Sequence, residues 1–304
     1  MVVIITGASG LIGSVLLQNL IEEDIIALDI RPPKSKISGV KYVNQRVGNY
    51  RIPPNVTGVI HLAAVSRVIT AEQDPTNAYS VNIVETQKLL HQLENLQVKP
   101  WVIYASSREV YGETGRLNIT EDEQLDPINH YGISKVAAES LMKSYSRQGG
   151  NIHVLRFSNV YGGLHDHPDR VVPKFIINAL LGRTLELQGK NNAFDFTHVS
   201  DTVAGILLSM KYLEGLNSSN YFEEFNICTG RATSLKQLAD CIIKLTYSSS
   251  KVTNVDGRKY DVKSYTGSWA KAKKVLNYTP RVPLKQGLEE YISLLKQGLI
   301  EVKR

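Results

Sequence analysis

Short apolar runs alternate with segments of helical periodicity through the first half of the chain. The runs are continuous and rich in valine and isoleucine, and they occupy residues 2–6, 25–29, 57–63, 101–106 and 152–157. Helical patterns separate them, at residues 11–23, 76–93 and 132–146. Continuous β-branched strands joined by helices predict a parallel sheet with helices on both faces.

The second half of the chain has a more mixed pattern. Residues 169–182 and 234–245 predict helices, whereas 194–199 and 224–230 predict strands. Near the C-terminus, apolar side chains recur at helical spacing and share one face, at Leu284, Leu288, Ile292 and Leu295. No repeat and no clear linker divides the chain, so we expect a second domain built from insertions after the later strands of the sheet.

Composition adds few constraints. Of 304 residues, 42% are hydrophobic and 21% are charged, which is typical of a soluble globular protein. We expect no signal peptide before the first strand, and no apolar run is long enough to span a bilayer. Cys228 and Cys241 lack metal-ligand spacing, so we expect core thiols, no metal site and a reducing, cytoplasmic location.

The net charge of +6 is concentrated at one end of the chain. Residues 251–304 hold 12 Lys/Arg and 5 Asp/Glu, a net of +7, which leaves −1 for the rest. Such a region could meet nucleic acid or a phosphorylated small molecule. A solvated lysine-rich face, such as KAKK at 271–274, is the competing interpretation.

The first strand runs directly into a glycine-rich turn. Gly7, Gly10 and Gly13 follow VVIIT and precede a helical pattern, a context in which backbone amides can approach a pyrophosphate. The second strand ends at Asp29, 22 residues after Gly7, where a carboxylate would accept hydrogen bonds from ribose hydroxyls and repel a 2′-phosphate. The pattern therefore predicts NAD, although Arg31 could hold the 2′-phosphate of NADP.

Further motifs follow in a consistent order. They are HLAA (61–64), Asn82 in VNIVET, HYGISK with Tyr131 and Lys135, and LRFSNVYG (155–162). Together with the Gly-x-x-Gly-x-x-Gly turn, they resemble the extended short-chain dehydrogenase/reductase superfamily over essentially the whole chain. Within it, the chain is similar to the NAD-dependent nucleotide-sugar epimerases and dehydratases.

The resemblance implies an α/β fold, a Rossmann-type doubly wound and mostly parallel sheet with a smaller mixed α/β substrate domain. We expect an NAD-binding domain at 1–163, to which 194–229 returns, and a substrate-binding domain mainly at 164–304. The resemblance also implies a homodimer that pairs helices 76–95 and 132–148.

The resemblance also assigns site residues. The expected cofactor-binding residues are Gly7, Ser9, Gly10, Leu11, Ile12, Gly13, Asp29, Arg31, Val47, Leu62, Ala63, Ala64, Asn82, Tyr131 and Lys135. The expected substrate-binding residues are Ser66, Ser107, Arg108, Asn159, Val172 and Arg258.

The chain departs from the family pattern at two positions. Arg46 stands where relatives carry an acidic residue that contacts adenine, and Phe194 replaces an arginine that holds the substrate diphosphate. Arg258 matches the family's other phosphate-binding arginine.

Tyr131 and Lys135 explain how a hydroxyl could be oxidised. A tyrosine with a pKa of about 10 is a poor base at pH 7. A lysine ammonium nearby would favour the phenolate by about 3 kcal/mol, so that Tyr131 could accept the hydroxyl proton while Ser107 aligns the oxygen. A second Tyr-x-x-x-Lys, Tyr247 with Lys251, lies in a serine-rich stretch and is interpreted as chance.

Ser106, Arg108 and Glu109 complete the same strand end. We expect a structural role for Ser106. Dehydratases of the family carry an acid pair at positions 108 and 109, and Arg108 cannot donate a proton as the missing aspartate would. Glu109 is either a catalytic group or the partner of Arg108 or of a helix terminus.

The leading hypothesis is an NAD-dependent nucleotide-sugar 4-epimerase, with a UDP-hexose favoured as substrate. The alternative is a UDP-glucuronate decarboxylase-like or other C5-directed enzyme that uses Glu109. A cofactor-bound RNA-binding or sensor protein is the third hypothesis, although it leaves Ser107, Tyr131 and Lys135 without a role. We expect neither nucleic acid nor a membrane as the partner.

Overall fold

The computed structural model describes residues 2–20 and 24–301, with side chains up to residue 297. Its strands are β1 (Val2–Thr6), β2 (Asp24–Asp29), β3 (Lys41–Asn44), β4 (Val56–His61), β5 (Trp101–Ser107), β6 (Ile152–Phe157), β7 (Asn159–Tyr161), β8 (Leu185–Gln188), β9 (Ala193–His198), β10 (Phe222–Ile227), β11 (Ala232–Ser234), β12 (Val252–Val255) and β13 (Ser264–Tyr265). Its α-helices are α1 (Leu11–Leu17), α2 (Val68–Gln73), α3 (Pro75–Tyr79), α4 (Thr86–Glu94), α5 (His130–Arg147), α6 (Val171–Leu180), α7 (Val199–Glu214), α8 (Leu235–Thr246), α9 (Ala270–Leu276) and α10 (Leu284–Glu301).

Seven strands form one parallel sheet in the order β3-β2-β1-β4-β5-β6-β10. Successive side chains of a strand point to opposite faces, so Val3 and Ile5 pack in one hydrophobic cluster and Ile4 in another. Helices cover both faces, as the continuous apolar strands predicted. The strand order reverses between β1 and β4, and ligands bind at the carboxyl ends of strands at such a point.

The predicted helix at 76–95 is wrong as a single α-helix. It consists of α3, a π-helical turn at Ser80–Glu85, and α4. The wide turn contains Asn82, whose buried side chain bonds to Val65 and to Ser134 of α5. Such π-turns are frequent at functional sites.

The later part of the chain builds a smaller mixed assembly. β9 lies at the centre of a second sheet with β7, β11 and β13, and β8 pairs with β12. α6, α8 and α10 enclose a separate hydrophobic cluster. Leu288 and Ile292 are buried in it and Leu284 and Leu295 pack against it, which confirms the predicted apolar face of α10.

The segment 194–229, predicted to return to the first domain, is divided between the two assemblies. α7 packs against the large sheet and β10 extends its edge, whereas β9 belongs to the smaller sheet. The boundaries of the two domains therefore stay a prediction.

Cys228 is buried, whereas Cys241 is half-buried, so only the first is a core thiol. The KAKK lysines lie on α9, where Lys271 pairs with Glu223 and Lys273 lies over the Trp269 ring.

Within residues 2–20 and 24–301, none of the helices combines the length and apolar character that crossing a bilayer requires.

Candidate active site

A cleft of about 700 Å³ opens at the carboxyl ends of the large sheet and continues between that sheet and the smaller assembly. All of the predicted site residues line it except Ser9 and Asn82. The catalytic, cofactor and substrate predictions therefore fall in one continuous space.

The glycine turn is packed too closely for any side chain at two of its three glycines. Gly7 has a φ of +69°, and a Cβ there would lie 2.7 Å from the Ala63 nitrogen. A Cβ on Gly13 would lie 2.5 Å from the Gly7 carbonyl oxygen. Gly10 has more room, because the nearest atom to its Cβ would be 3.2 Å away, and its backbone faces the cleft. This cradle fits a pyrophosphate beside the start of α1.

Asp29 lies at the end of β2 with its carboxylate buried. One oxygen accepts from the Ser9 amide and the other from the Arg31 amide, both at 2.9 Å. The Arg31 guanidinium is more than half exposed and lies 3.7 Å from the same carboxylate. Each carboxylate oxygen keeps a lone pair for a ribose hydroxyl, and the negative charge opposes a 2′-phosphate. The residues present thus fit NAD.

Ser9 and Asn82 support the cofactor site through hydrogen bonds to residues that line the cleft. Ser9 fastens the glycine turn to Asp29 and to the Arg31 carbonyl. Asn82 accepts from the Val65 amide and donates to the Val65 carbonyl, which fixes the loop after β4. Neither residue lines the cleft itself, so their predicted roles in cofactor binding stay predictions.

At the adenosine end of the cleft, Arg46 pairs with Glu85 at 2.7 Å. Arg46 is half exposed, whereas Glu85 is largely buried in the π-turn. The structure thus supplies an acidic group beside Arg46 from another element. Hydrophobic periodicity does not indicate Glu85, because its position beside Arg46 depends on the π-turn.

Tyr131 lies in the first turn of α5, with its side chain buried at the floor of the cleft. Burial raises the pKa of Tyr131 to about 12, opposed by the charge of Arg170 and by a hydrogen bond with Ser107. Glu109 raises this pKa further, and Arg108 lowers it. Ser107 and Tyr131 are therefore in contact, as predicted.

Lys135 lies one turn further along α5, with its ammonium 2.8 Å from the Ala105 carbonyl oxygen. The ammonium is 5.7 Å from the centre of the Tyr131 ring and 4.8 Å from that of Tyr104. Burial lowers the pKa of Lys135 to about 7, and Glu139 opposes this effect. In the free protein Arg170, rather than Lys135, is the leading charge that favours the Tyr131 phenolate, which differs from our expectation.

Glu109 has a partner for each carboxylate oxygen. Oε1 lies 2.7 Å from Arg108 Nη2, and Oε2 accepts from Asn129 Nδ2 at 2.8 Å. Asn129 in turn caps the N-terminus of α5 through the Gly132 amide. Both structural alternatives considered for Glu109 are therefore present.

The Arg108 guanidinium is held on several sides at the substrate end of the cleft. Its Nε donates to Asn159 at 2.6 Å, and it stacks on the Phe194 ring with 4.7 Å to the centroid. Its Nη1 is buried and has no hydrogen-bond partner among the residues that the structure describes. Phe194, which was expected to leave the substrate diphosphate without an arginine, thus supports another arginine.

Arg258, predicted to bind phosphate, lines the same end of the cleft with Ser66 and Val172. Its Nη2 donates to Gln188 at 2.8 Å, and its Nε lies 3.9 Å from Asp261.

The segment 163–170 lines the cleft between the two assemblies, and the sequence reasoning missed it. Arg67, beyond the HLAA loop, pairs with Asp169 at 2.5 Å, and Arg170 lies 3.5 Å from Asp166. His165 and His167 line the cleft as well. The charged string HDHPDR (165–170), one residue after NVYGG, was a signal that could have indicated this segment.

Comparison with known proteins agrees with this site. A model of the NAD dependent epimerase/dehydratase family matches residues 3–228. A putative UDP-glucose 4-epimerase of Methanocaldococcus jannaschii is 28% identical, over 97% of this chain and 99% of its own. A UDP-N-acetyl-alpha-D-glucosaminuronate decarboxylase of Bacillus cytotoxicus is 30% identical, over 97% of each chain.

Among solved structures, a UDP-glucuronic acid 4-epimerase from Bacillus cereus, in complex with UDP-glucuronic acid and NAD, superposes with a TM-score of 0.90. It is 25% identical, and the match covers 98% of this chain and 99% of that one. These similarities extend over nearly the whole chain and agree with the observed fold. The chain belongs to the NAD-dependent epimerase/dehydratase family, and its cofactor is NAD.

Proposed function

We propose that this protein is a nucleotide-sugar 4-epimerase that acts through a transient 4-keto sugar, with a UDP-hexose as the favoured substrate. The observation that carries the proposal is the position of Tyr131, Ser107 and Lys135. They lie in one cleft between the glycine cradle and a substrate end that holds Arg108 and Arg258.

In this reaction, Tyr131 accepts the proton of the sugar C4 hydroxyl, and Ser107 holds the same oxygen in line. Bound NAD would supply reversible hydride transfer at C4, and its positive charge would add to the charges that favour the Tyr131 phenolate. Lys135 would hold the nicotinamide ribose. Once the 4-keto sugar has rotated so that the opposite face of C4 is presented for hydride return, Tyr131 gives the proton back to the C4 oxygen.

The Arg108 contacts support a sugar in this end of the cleft. A buried charged donor without a partner costs about 1–3 kcal/mol or more, so an incoming oxygen atom at Nη1 would be stabilised. Asn159 and Phe194 hold the guanidinium in one orientation, and little side-chain entropy is lost when a ligand binds there.

The alternative is a decarboxylase-like or other C5-directed reaction that uses Glu109. A decarboxylase relative at 30% identity favours it. Both oxygens of Glu109 are bound to Arg108 and Asn129, however, so the carboxylate would have to leave its partners to act as a base at C5. These contacts favour the epimerase.

A non-catalytic RNA-binding or sensor protein is a weaker alternative. Such a role needs no proton acceptor, and it would leave the contact between Ser107 and the buried Tyr131 without a purpose.

The proposal is tested by incubating the protein with UDP-, dTDP-, GDP- and CDP-sugars and following the products by NMR. Interconversion of a pair of C4 epimers is expected. Glu109→Gln should keep most of this activity, and Glu123→Gln, which alters a surface ion pair with Arg116, is its control. If Glu109→Gln instead stops the reaction and NADH accumulates, as seen by its near-ultraviolet absorbance, the C5-directed alternative replaces the epimerase.

A further inference from the structure

Lys135 and Glu139 lie four residues apart on one face of α5, and both side chains are buried. They bind two consecutive residues of β5. The Lys135 ammonium donates to the Ala105 carbonyl at 2.8 Å, and a Glu139 oxygen accepts from the Ser106 hydroxyl at 2.5 Å. The next residue of the strand is Ser107.

Arg156 of β6 holds Glu139 from the other side. Its Nη2 and Nε reach the two carboxylate oxygens at 2.8 and 3.2 Å, and its Nη1 donates to the Tyr111 hydroxyl at 3.0 Å. A buried carboxylate is costly unless it is paired and hydrogen-bonded, and Glu139 meets both conditions. The Glu139–Arg156 pair is therefore part of the packing between α5 and β6.

The groups that face Lys135 come from three elements. Tyr131 and Glu139 lie on α5, Tyr104 on β5, and His61 on β4. Burial and the charge of Lys135 lower the pKa of His61 to about 3, so this ring is neutral at pH 7. Glu139 supplies the negative charge that opposes the desolvation of Lys135.

We propose that Glu139 is a positioning residue for the reaction, which keeps Lys135 charged and fixes the end of β5 so that Ser107 meets Tyr131. Only the expected loss of turnover rests on the proposed function. The effect on Lys135 is a property of the protein without substrate.

The direct test is the titration of Lys135 in the full-length protein labelled with [ε-13C]lysine, with Lys135→Arg used to assign its NMR signal. Glu139→Gln removes the negative charge and leaves Arg156 unpaired, and both changes disfavour the Lys135 ammonium. The midpoint of the titration should therefore fall by at least about one pH unit. In the assay that identifies a substrate, kcat should fall about tenfold or more, with a smaller change in KM, and activity should be lost at a lower pH on the alkaline side.

Tyr111→Phe is the matched control. It removes the hydroxyl that bonds to Arg156 and Asn226 in the same network but leaves the Glu139–Arg156 pair intact. A merely structural role for the network predicts the same behaviour in both variants. An unchanged Lys135 midpoint in Glu139→Gln, or an equal shift in Tyr111→Phe, would overturn the proposal.

Ser106→Ala tests the second part of the proposal, the positioning of Ser107. This test remains possible even if the Glu139→Gln variant does not fold. It leaves both charges in place and removes the hydroxyl that joins β5 to Glu139. The Lys135 midpoint should stay where it is, and kcat should fall several-fold because Ser107 is less well aligned. Unchanged turnover would contradict the positioning of Ser107. Absence of epimerase activity in the unmodified protein, with the Lys135 shift still present, would refute the proposed function but not the action of Glu139 on Lys135.

Discussion

Ser106, Ser107, Arg108 and Glu109 follow one another at the end of β5, and each meets a different partner. Ser106 binds Glu139, Ser107 contacts Tyr131, and Arg108 and Glu109 pair with each other. A short helical turn at Arg108–Tyr111 sends these neighbouring side chains in different directions. Four polar residues in a row can therefore face the cleft, Tyr131 and the core at once.

At the residue scale, Tyr131→Phe should lower turnover by at least about a hundredfold, because it removes the proton acceptor and keeps the ring. Epimer formation measured by NMR is the readout. Tyr247→Phe is the control, since Tyr247 is 95% exposed and lies outside the cleft. Similar losses in both variants would show that the wrong copy of the motif was chosen.

The sequence was sufficient to predict that Tyr131, Lys135 and Ser107 share one cleft, because a helical spacing of four and a position at a strand end are local properties. The sequence was not sufficient to predict the pKa values of Tyr131 and Lys135. The pKa values of Tyr131 and Lys135 depend on burial and on Arg170 and Glu139, which only the packing of distant elements brings near.

At the element scale, the π-turn between α3 and α4 positions Asn82 for its contacts with two other elements. The π-turn directs Asn82 toward the loop after β4, and the same amide donates to Ser134 at 2.8 Å. Three elements around the cofactor cleft are thereby joined. Hydrophobic periodicity predicted the helical region but not the wide turn, because the turn is stabilised by contacts outside the segment.

Asn82→Ala should weaken NAD binding about tenfold and destabilise the fold by about 1–3 kcal/mol, because buried groups of Val65 and Ser134 lose their partner. Calorimetry of NAD binding and urea unfolding measure the two effects. Asn19→Ala, which removes an exposed side chain bonded to the Val15 carbonyl, is the control. Unaltered NAD affinity in Asn82→Ala would refute the supporting role of Asn82.

At the scale of the whole molecule, two buried histidines make stability sensitive to acid. Burial is the main cause that lowers the pKa of both His61 and His153 to about 3. Between about pH 6.5 and pH 3 the unfolded chain binds these two protons and the folded chain does not. The free energy of unfolding should therefore fall with decreasing pH, by up to about 1.4 kcal/mol per pH unit for each histidine.

His153→Gln isolates one of these protons, because His153 lies away from the cleft and bonds to Ser209. The slope of unfolding free energy against pH, from urea titrations between pH 6 and pH 4, should decrease by about one proton relative to the unmodified protein. An identical slope in both proteins would show that His153 is protonated in the fold.

The expected homodimer is a prediction for the outer faces of α4 and α5. A hollow there is lined by Leu90, His91 and Leu141, among others. Sedimentation should show a dimer for the unmodified protein and a monomer for Leu141→Arg. Leu117→Arg, at a 75% exposed site on a loop, should leave the dimer intact. A monomeric unmodified protein would contradict the prediction.

The parallel sheet and the glycine cradle could be predicted because strand composition and turn chemistry depend on residues that are neighbours in the sequence. The segment 163–170 and the Arg108–Phe194 stack could not, because they depend on how the smaller assembly is placed over the sheet. These features shape the substrate end of the proposed site, so the sequence indicates the type of reaction more clearly than the substrate.

The central claim is that reaction occurs at C4 and leaves C5 untouched. The most direct test is to run the reaction in D₂O with the nucleotide sugar that the panel identifies and to examine the product by NMR. The expected product is a C4 epimer that keeps hydrogen at C4 and carries no deuterium at C5. Deuterium at C5, or release of CO₂ from a UDP-uronic acid, would contradict it.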